Sequence, residues 1–326
     1  MRRDIHMNRL ISIASLAALA MAAPLSAQET EKAEFPSPNA IVEGAPASEW
    51  VKIAPSDLLV MDLAPDAEGN PRRVVIQLMP PPFSQGWIRN IRKLAAAHWW
   101  DGTSINRVQD NYVVQWGDAS EEKALPEGLE AVPESEYISK LDRIDGEESN
   151  IQNSDATTGA KGGYRNDLYG NALFGLGWPL GSGNNSLWPV HCYAAVGVGR
   201  NYSPDTGSGA ELYTVIGHAP RHLDRNIAVV GRVIEGIEHL SSLPRGKGQL
   251  GFYEDASKRV PIRSIRLASE LPAAERPRFE YLSTEGETFA KYADARANRR
   301  DPFFIVPAGG ADICNIPVPV RRASGE

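Results

Sequence analysis

The chain has little cysteine and no excess of positive charge. Two of its 326 residues are cysteines, and 34 lysines and arginines are outnumbered by 41 aspartates and glutamates, for a formal net charge of −7. Two cysteines permit a single pairing. An acidic chain lacks the electrostatic footprint of a protein that binds nucleic acid or an anionic membrane.

Long apolar runs are also missing. The run Leu10–Ala23 is too short for a bilayer, which needs about 20 helical residues, and no later stretch approaches that length. Arg2, Arg3 and Arg9 precede this run, and a small-residue motif ending at Ala27 follows it. This order is typical of a cleaved secretory signal. It predicts an exported protein, periplasmic in a bacterium; an uncleaved anchor and a eukaryotic signal are the alternatives.

Removal of the predicted signal makes the chain more acidic. Residues 1–27 carry three arginines and one aspartate, a net charge of +2, so the formal charge falls from −7 to −9. The mature protein is therefore expected to have neither a nucleic-acid partner nor a membrane partner.

Several catalytic and ligand-binding patterns are incomplete. Gly197–Gly199 lacks the third glycine of a dinucleotide-binding loop, and Gly181–Gly183 lacks a nucleophile elbow. His218 and His222 have a spacing that suits zinc on a helix, but glycine and proline around them predict strand and loop. We therefore expect neither a metal nor an organic cofactor.

Short apolar runs separated by turn residues predict a mainly β fold. Two helices, over about Ser84–Ala95 and Ile234–Leu243, interrupt the strand-like runs. Many short strands with two helices indicate a closed antiparallel barrel that is capped at its ends. The runs read as strands cover residues 58–63, 73–78, 104–108, 112–116, 192–198, 212–217, 227–233 and 261–267.

Five separated segments carry the most specific signal in the chain. They are Ile105-Asn106-Arg107-Val108, Tyr112-Val113-Val114-Gln115-Trp116-Gly117-Asp118, Gly207-Ser208-Gly209-Ala210-Glu211-Leu212-Tyr213, His222-Leu223-Asp224 and Val229-Val230-Gly231-Arg232-Val233. In this order they resemble the cyclophilin-type peptidyl-prolyl isomerases. That family typically reads Phe-His-Arg-Val, Phe-Met-x-Gln-Gly-Gly-Asp, Asn-Gly-Ser-Gln-Phe-Phe, x-Leu-Asp and Val-Phe-Gly-x-Val. The resemblance covers about Asp57 to Leu271.

The resemblance implies a cyclophilin-like fold with additions. It is a closed antiparallel β-barrel capped by two helices, with a long insertion and a C-terminal extension. The expected divisions are a signal peptide at 1–27, an N-terminal arm or linker at 28–56, the barrel domain at 57–271 with its insertion at 119–190, and the extension at 272–326. The first half of the insertion is acidic, but aromatics in its second half favour an ordered segment over one edge of the core.

The resemblance also implies an active site and a substrate class. Arg107 matches the catalytic arginine, and Gln115 matches the glutamine that binds substrate backbone and orients that arginine. The walls of a proline pocket are expected at Tyr112, Val113, Tyr213 and Leu223. The implied substrates are X–Pro bonds of exported proteins, and the implied role is assistance to folding.

Four positions depart from the family's motifs. Asn106 replaces a histidine beside the arginine, and Glu211 replaces a glutamine that contacts substrate. His222 stands where tryptophan is frequent, and Ile227 replaces a pocket histidine. Asn106, Glu211 and His222 remain candidate substrate-binding residues. The departures keep open a second interpretation, a chaperone or scaffold that holds proline-containing peptides without turning them over.

The two cysteines leave two interpretations open. In an oxidising compartment, Cys192 and Cys314 can pair and tie the C-terminal extension to the body of the protein. Alternatively, Cys192 is a small strand residue and Cys314 is free. The sequence alone favours neither.

Overall fold

The barrel and two smaller sheets make up the fold. The computed structural model describes residues 35–140, 169 and 171–323; the predicted signal and residues 141–168 of the predicted insertion lie outside these ranges. The strands are β1 (Trp50–Lys52), β2 (Leu58–Leu63), β3 (Arg72–Leu78), β4 (Ser104–Val108), β5 (Val113–Gly117), β6 (Ser139–Lys140), β7 (Asn171–Gly175), β8 (Trp178–Gly183), β9 (Ser186–Pro189), β10 (Ala195–Val198), β11 (Leu212–Val215), β12 (Val229–Glu235), β13 (Val260–Leu267), β14 (Phe279–Leu282) and β15 (Val320–Arg322). The helices are α1 (Pro38–Glu43), α2 (Gln85–Ala96), α3 (Glu238–Ser241) and α4 (Glu287–Ala297).

Eight antiparallel strands close the barrel in the order β10-β11-β5-β4-β13-β2-β3-β12. This confirms the predicted mainly β fold. Strand β2 begins with four consecutive apolar residues, Leu58 to Met61, and all four are buried. Leu59 and Met61 belong to the large core cluster, whereas Leu58 and Val60 belong to a second cluster that includes Phe279. Because alternate residues of a strand point to opposite faces, β2 is buried on both of its faces.

Helix α2 packs an apolar face against the barrel. Trp87, Ile91 and Leu94 are fully buried, at spacings of four and three residues that place them on one side of the helix. Within the described part of the chain, no helix is both long and apolar enough to cross a membrane.

The N-terminus of α2 donates its hydrogen bond to a distant segment. Ser84 stands at the N-cap position but makes no capping hydrogen bond. Its hydroxyl instead donates to the carbonyl of Val229 at 2.7 Å. The free amide of Gly86 donates to the Glu136 carboxylate at 2.9 Å. A residue of the insertion, 50 positions downstream, therefore satisfies this helix end.

The insertion contains strands that hydrophobic periodicity did not predict. Strands β6, β9, β8 and β7 form a four-stranded antiparallel sheet in that order. Its residues Phe174 and Trp188 share a buried cluster with Trp50 of the N-terminal arm and with Phe289 and Ile316 of the C-terminal extension. The arm contributes β1 and the extension contributes β14 and β15 to one further sheet. The additions to the barrel thus form a second core of their own.

A disulfide joins this second core to the barrel domain. Cys192 and Cys314 are bonded, with their Cα atoms 5.1 Å apart. Cys192 precedes β10, and Cys314 lies in the extension between α4 and β15. The bond therefore closes a loop with a sequence separation of 122 residues.

We expect Cys314→Ser to lower the free energy of unfolding by about 2–5 kcal/mol, because a cross-link over a long loop removes conformations from the unfolded chain. Urea denaturation of the protein without residues 1–27, with and without reductant, measures this change. The reduced wild type should unfold like the variant, and the variant should not respond to reductant. Equal stability of oxidised wild type and variant would contradict the prediction.

Candidate active site

A cleft of about 590 Å³ opens on the outer face of the barrel. Strands β4, β5 and β11 form its base, and the turns around Gly199–Ser208 and Leu250–Phe252 form its sides. Seven of the nine predicted site residues line it: Arg107, Tyr112, Val113, Gln115, Glu211, Tyr213 and Leu223. Four of the five motif segments are thereby brought to one surface.

The strand pairing of β4 and β5 places Arg107 beside Gln115. The two residues are direct partners in the antiparallel ladder, just after an irregularity in the register between Ile105 and Arg107. Such a bulge turns the side chain of the following residue to a new direction. The guanidinium of Arg107 is half-buried, and its Cζ lies 5.8 Å and 5.5 Å from the ring centroids of Tyr112 and Phe252.

Three neutral acceptors hold this guanidinium. Arg107 Nε donates to the carbonyl of Leu250 at 2.7 Å, and Nη1 donates to Gln115 Oε1 at 3.1 Å. Nη2 donates to Gln109 Oε1. An arginine has five N–H donors, so two remain unused by the described residues. Burial lowers the pKa of Arg107, and no carboxylate among the described residues forms an ion pair with it.

The turn that carries Leu250 and Phe252 was missed by the sequence interpretation. Leu250 adopts a φ of 56° and Gly251 one of 84°, in the left-handed region. This conformation presents the Leu250 carbonyl to Arg107 and places Phe252 opposite Arg107 in an isolated β-bridge. In the sequence, only the glycines near residue 250 indicate a turn. They do not predict which strand the turn contacts.

Glu211 lies behind Gln115 and does not pair with Arg107. Glu211 Oε1 accepts from the backbone amide of Asp118 at 2.7 Å, and the side chains of Gln115 and Asn106 also hydrogen-bond to this carboxyl group. It occupies the space beside Gly117, where a Cβ would lie 1.8 Å from Oε1. Burial raises the pKa of Glu211 to about 7 despite these hydrogen bonds.

Asn106 and His222 stand outside the lining of the cleft. Asn106 is 4% exposed and supports Glu211 from beneath the surface. His222 is exposed, and its ring stacks on Tyr112 with the centroids 6.3 Å apart. Both residues therefore act on the cleft through a neighbour that lines it.

The other end of the cleft is apolar. Val113 and Tyr213 are nearly buried there, whereas Tyr112, Leu223 and Ile227 are partly exposed. These side chains form a hydrophobic recess beside the cationic Arg107. The insertion adds Glu121 and Leu125 to the rim of the cleft. Sequence reasoning did not assign these two residues, because the insertion has no counterpart in the motifs that carried the resemblance.

The described residues contain no group of three His, Cys, Asp or Glu side chains with a geometry that holds a metal ion. The backbone amide of His218 donates to Asn111 Oδ1 at 2.8 Å, and His222 stacks on Tyr112. The two histidines thus make structural contacts of their own.

The candidate site as a whole is a cation, Arg107, next to an apolar recess. The recess can bind a ring, and the cation can donate a hydrogen bond to an atom beside that ring.

Comparisons with known proteins agree with this fold. Residues 73–267 match the family model described as cyclophilin type peptidyl-prolyl cis-trans isomerase/CLD. The crystal structure of the cyclophilin AquaCyp293 from Hirschia baltica matches with a TM-score of 0.59 and 20% sequence identity, over 85% of this chain and 95% of that chain. This match supports the fold. No curated protein sequence matches the chain.

A more distant structural match is a cyclophilin type peptidyl-prolyl cis-trans isomerase from Cryptosporidium parvum, crystallised in the presence of the dipeptide Ala-Pro. It covers 64% of this chain and 98% of that chain, with 11% identity and a TM-score of 0.36. A second structure of that protein covers 65% of this chain and 96% of that chain, with 12% identity and a TM-score of 0.37.

The raised pKa of Glu211 predicts a pH-dependent stability. Between the ordinary value of 4.5 and about 7, the folded state keeps a proton that the unfolded state releases. The contribution of Glu211 to the free energy of unfolding is therefore greatest below pH 4.5. It falls as pH rises towards 7 and is constant above that, a total change on the order of 3 kcal/mol.

Melting temperatures of wild type and Glu211→Gln, measured from pH 4 to 9, test this prediction. The variant should gain stability relative to wild type as pH rises to about 7 and hold that gain above it. Glu127→Gln, at an exposed glutamate of the insertion, is the matched control. Parallel curves for wild type and Glu211→Gln would rule the prediction out.

Proposed function

The chain belongs to the cyclophilin-type peptidyl-prolyl cis-trans isomerase family, and on that premise we propose that it isomerises X–Pro bonds of exported proteins and so assists their folding. The observation that carries this proposal is the guanidinium of Arg107. Neutral acceptors orient it, two of its donors are unused by the described residues, and an apolar recess lies beside it.

The chemistry requires a twist about one bond. Amide resonance gives the X–Pro bond a barrier of about 18–20 kcal/mol. As the bond twists, the prolyl nitrogen becomes pyramidal and regains its lone pair. A preorganised donor aimed at that nitrogen stabilises the twisted state more than the planar one, and this difference accelerates the exchange.

The cleft supplies each part of this task. Tyr112, Val113, Tyr213 and Leu223 offer an apolar surface for the proline ring. The unused N–H groups of Arg107 serve as donors to the prolyl nitrogen. Since Arg107 has no carboxylate partner among the described residues, its positive charge is not neutralised locally. Because the guanidinium is already oriented in the folded protein, no conformational entropy is lost in orienting it when a peptide binds.

The same geometry bears on the chaperone or scaffold interpretation. If Arg107 formed an ion pair with Glu211 and the recess were filled, the N–H donors of Arg107 would be occupied. That arrangement would favour the chaperone or scaffold interpretation. Glu211 instead bonds to the Asp118 amide, and the cleft is open. The enzyme proposal is therefore the one that the contacts support.

We expect Arg107→Ala to slow catalysed exchange by about 10²-fold or more, since it removes the donor that acts in the transition state. NMR exchange spectroscopy on an Ala-Pro-containing tetrapeptide measures this rate directly. Arg245→Ala is the matched control, because Arg245 pairs with the exposed Asp110 and does not line the cleft.

Three outcomes separate the interpretations. Acceleration that depends on Arg107 and not on Arg245 supports the proposed mechanism. Peptide binding by the wild type without acceleration would favour the chaperone or scaffold. Equal acceleration by wild type and Arg107→Ala would place the catalytic donor elsewhere.

The exported location is part of the proposal. Its support is the signal-like N-terminus, together with the Cys192–Cys314 disulfide, a bond that persists in oxidising compartments. When the full chain is produced in a Gram-negative host, we expect periplasmic protein that begins at Gln28. Cell fractionation and N-terminal mass spectrometry check this. A cytoplasmic protein that retains residues 1–27 would contradict it.

A further inference from the structure

A row of buried polar side chains runs from the proline recess into the protein. Tyr213 Oη lies 2.9 Å from His191 Nε2, His191 Nδ1 lies 2.9 Å from Asp224 Oδ1, and Asp224 Oδ2 lies 2.5 Å from Arg221 Nε. The four residues are 5%, 0%, 4% and 4% exposed, in that order. Buried polar groups at these distances are strong constraints, because each one left without a partner is costly.

The chemistry of the row fixes the direction of its hydrogen bonds. Arg221 can only donate, so Asp224 accepts from it. Asp224 also accepts from the backbone amide of His191 at 2.9 Å and from the Nδ1–H group. In a neutral imidazole, Nε2 is then the acceptor. Burial holds the pKa of Tyr213 well above its ordinary value, so the hydroxyl stays protonated and can donate a hydrogen bond to Nε2 of a neutral imidazole.

The strands around Tyr213 leave room for this arrangement. Gly197 of β10 is the ladder partner of Tyr213 on β11. A Cβ at Gly197 would lie 2.3 Å from Tyr213 Oη. The ring thus lies across a position without a side chain and stacks on His191, with the ring centroids 6.3 Å apart and the planes inclined by 10°.

The far end of the row holds a second wall of the recess. Arg221 and Asp224 bracket a short turn that includes Leu223, a residue that lines the cleft. Asp224 is anchored to His191 on one side and to Arg221 on the other. Tyr213 and Leu223 lie on different segments, and this row of hydrogen bonds connects them.

We propose that His191, Asp224 and Arg221 are positioning residues of the isomerase site, which hold the Tyr213 and Leu223 walls of the proline recess in their binding geometry. This inference rests on the proposed function. The family motif has a phenylalanine where this chain has Tyr213, and a phenylalanine needs no partner. The hydroxyl of Tyr213 does need one, and His191 supplies it. A recess whose walls are fixed in advance loses less conformational entropy when a peptide binds.

A double-mutant cycle tests the connection. His191→Leu leaves the Tyr213 hydroxyl without its acceptor, so we expect the dissociation constant of the Ala-Pro-containing tetrapeptide to rise about five- to tenfold. The catalysed rate at saturating peptide should change by no more than about twofold, since no group that touches the prolyl nitrogen is removed. Tyr213→Phe should raise the dissociation constant less, because it keeps the aromatic wall.

The combination of these two changes is the decisive measurement. In the double variant neither partner is orphaned, so its dissociation constant should not exceed that of His191→Leu, well short of the product of the single effects. The matched control is Thr214→Val, which removes a fully buried hydroxyl without a partner among the described residues, one position along the same strand. Its effect should multiply with that of His191→Leu. Multiplicative effects for the His191–Tyr213 pair, or an unchanged dissociation constant in His191→Leu, would overturn the proposal.

An NMR measurement keeps the proposal testable if His191→Leu does not fold. The Nε2 resonance of His191 should shift by several ppm in Tyr213→Phe and should stay in place in Arg107→Ala. An unmoved resonance in Tyr213→Phe would refute the hydrogen bond. Neither peptide affinity nor this resonance depends on turnover. A wild type that binds peptide without accelerating exchange would therefore contradict the proposed function while leaving the positioning role to be decided by the cycle.

Discussion

Arg107 lies in the cleft with its guanidinium bonded to the side-chain amides of Gln115 and Gln109 and to the backbone carbonyl of Leu250. Neutral acceptors fix the direction of the guanidinium and leave its charge intact. A carboxylate would fix the direction but would also neutralise the charge. The β4–β5 ladder, the bulge before Arg107 and the turn at Leu250 all serve this arrangement. The cleft can act on a bound substrate only if the Arg107 guanidinium is held in one orientation and keeps N–H groups that can donate a hydrogen bond.

Glu211 shows how burial adapts the site to a residue that departs from the family's motif. A carboxylate close behind Gln115 would be expected to attract Arg107, yet the Asp118 amide and the side chains of Gln115 and Asn106 bind it instead. Because burial raises the pKa of Glu211 to about 7, the group is partly protonated near neutral pH. A protonated carboxyl has a donor and an acceptor, as the amide of glutamine does.

The additions to the barrel support the recess as well as their own core. The arm, the insertion and the extension share one buried cluster, and the disulfide at Cys192 ties the extension to the peptide that carries His191. Next to that bond, His191 contacts Asp224 and Tyr213. A continuous path of covalent and hydrogen bonds thus leads from the C-terminal extension to Tyr213, a wall of the apolar recess.

The sequence by itself determined the local parts of this protein. Alternating and continuous apolar runs marked the barrel strands, and the motifs placed Arg107 and Gln115 on neighbouring strands, where a short turn makes their pairing almost inevitable. The tertiary structure alone decided which distant groups complete the site. Leu250 reaches Arg107 across 143 residues, and Glu136 reaches Gly86 across 50. It also decided that Glu211 bonds to Asp118 and that His191 supports Tyr213. Periodicity and spacing report which face of an element is buried, but a hydrogen bond between distant segments depends on chain closure and on desolvation, and neither leaves a local pattern.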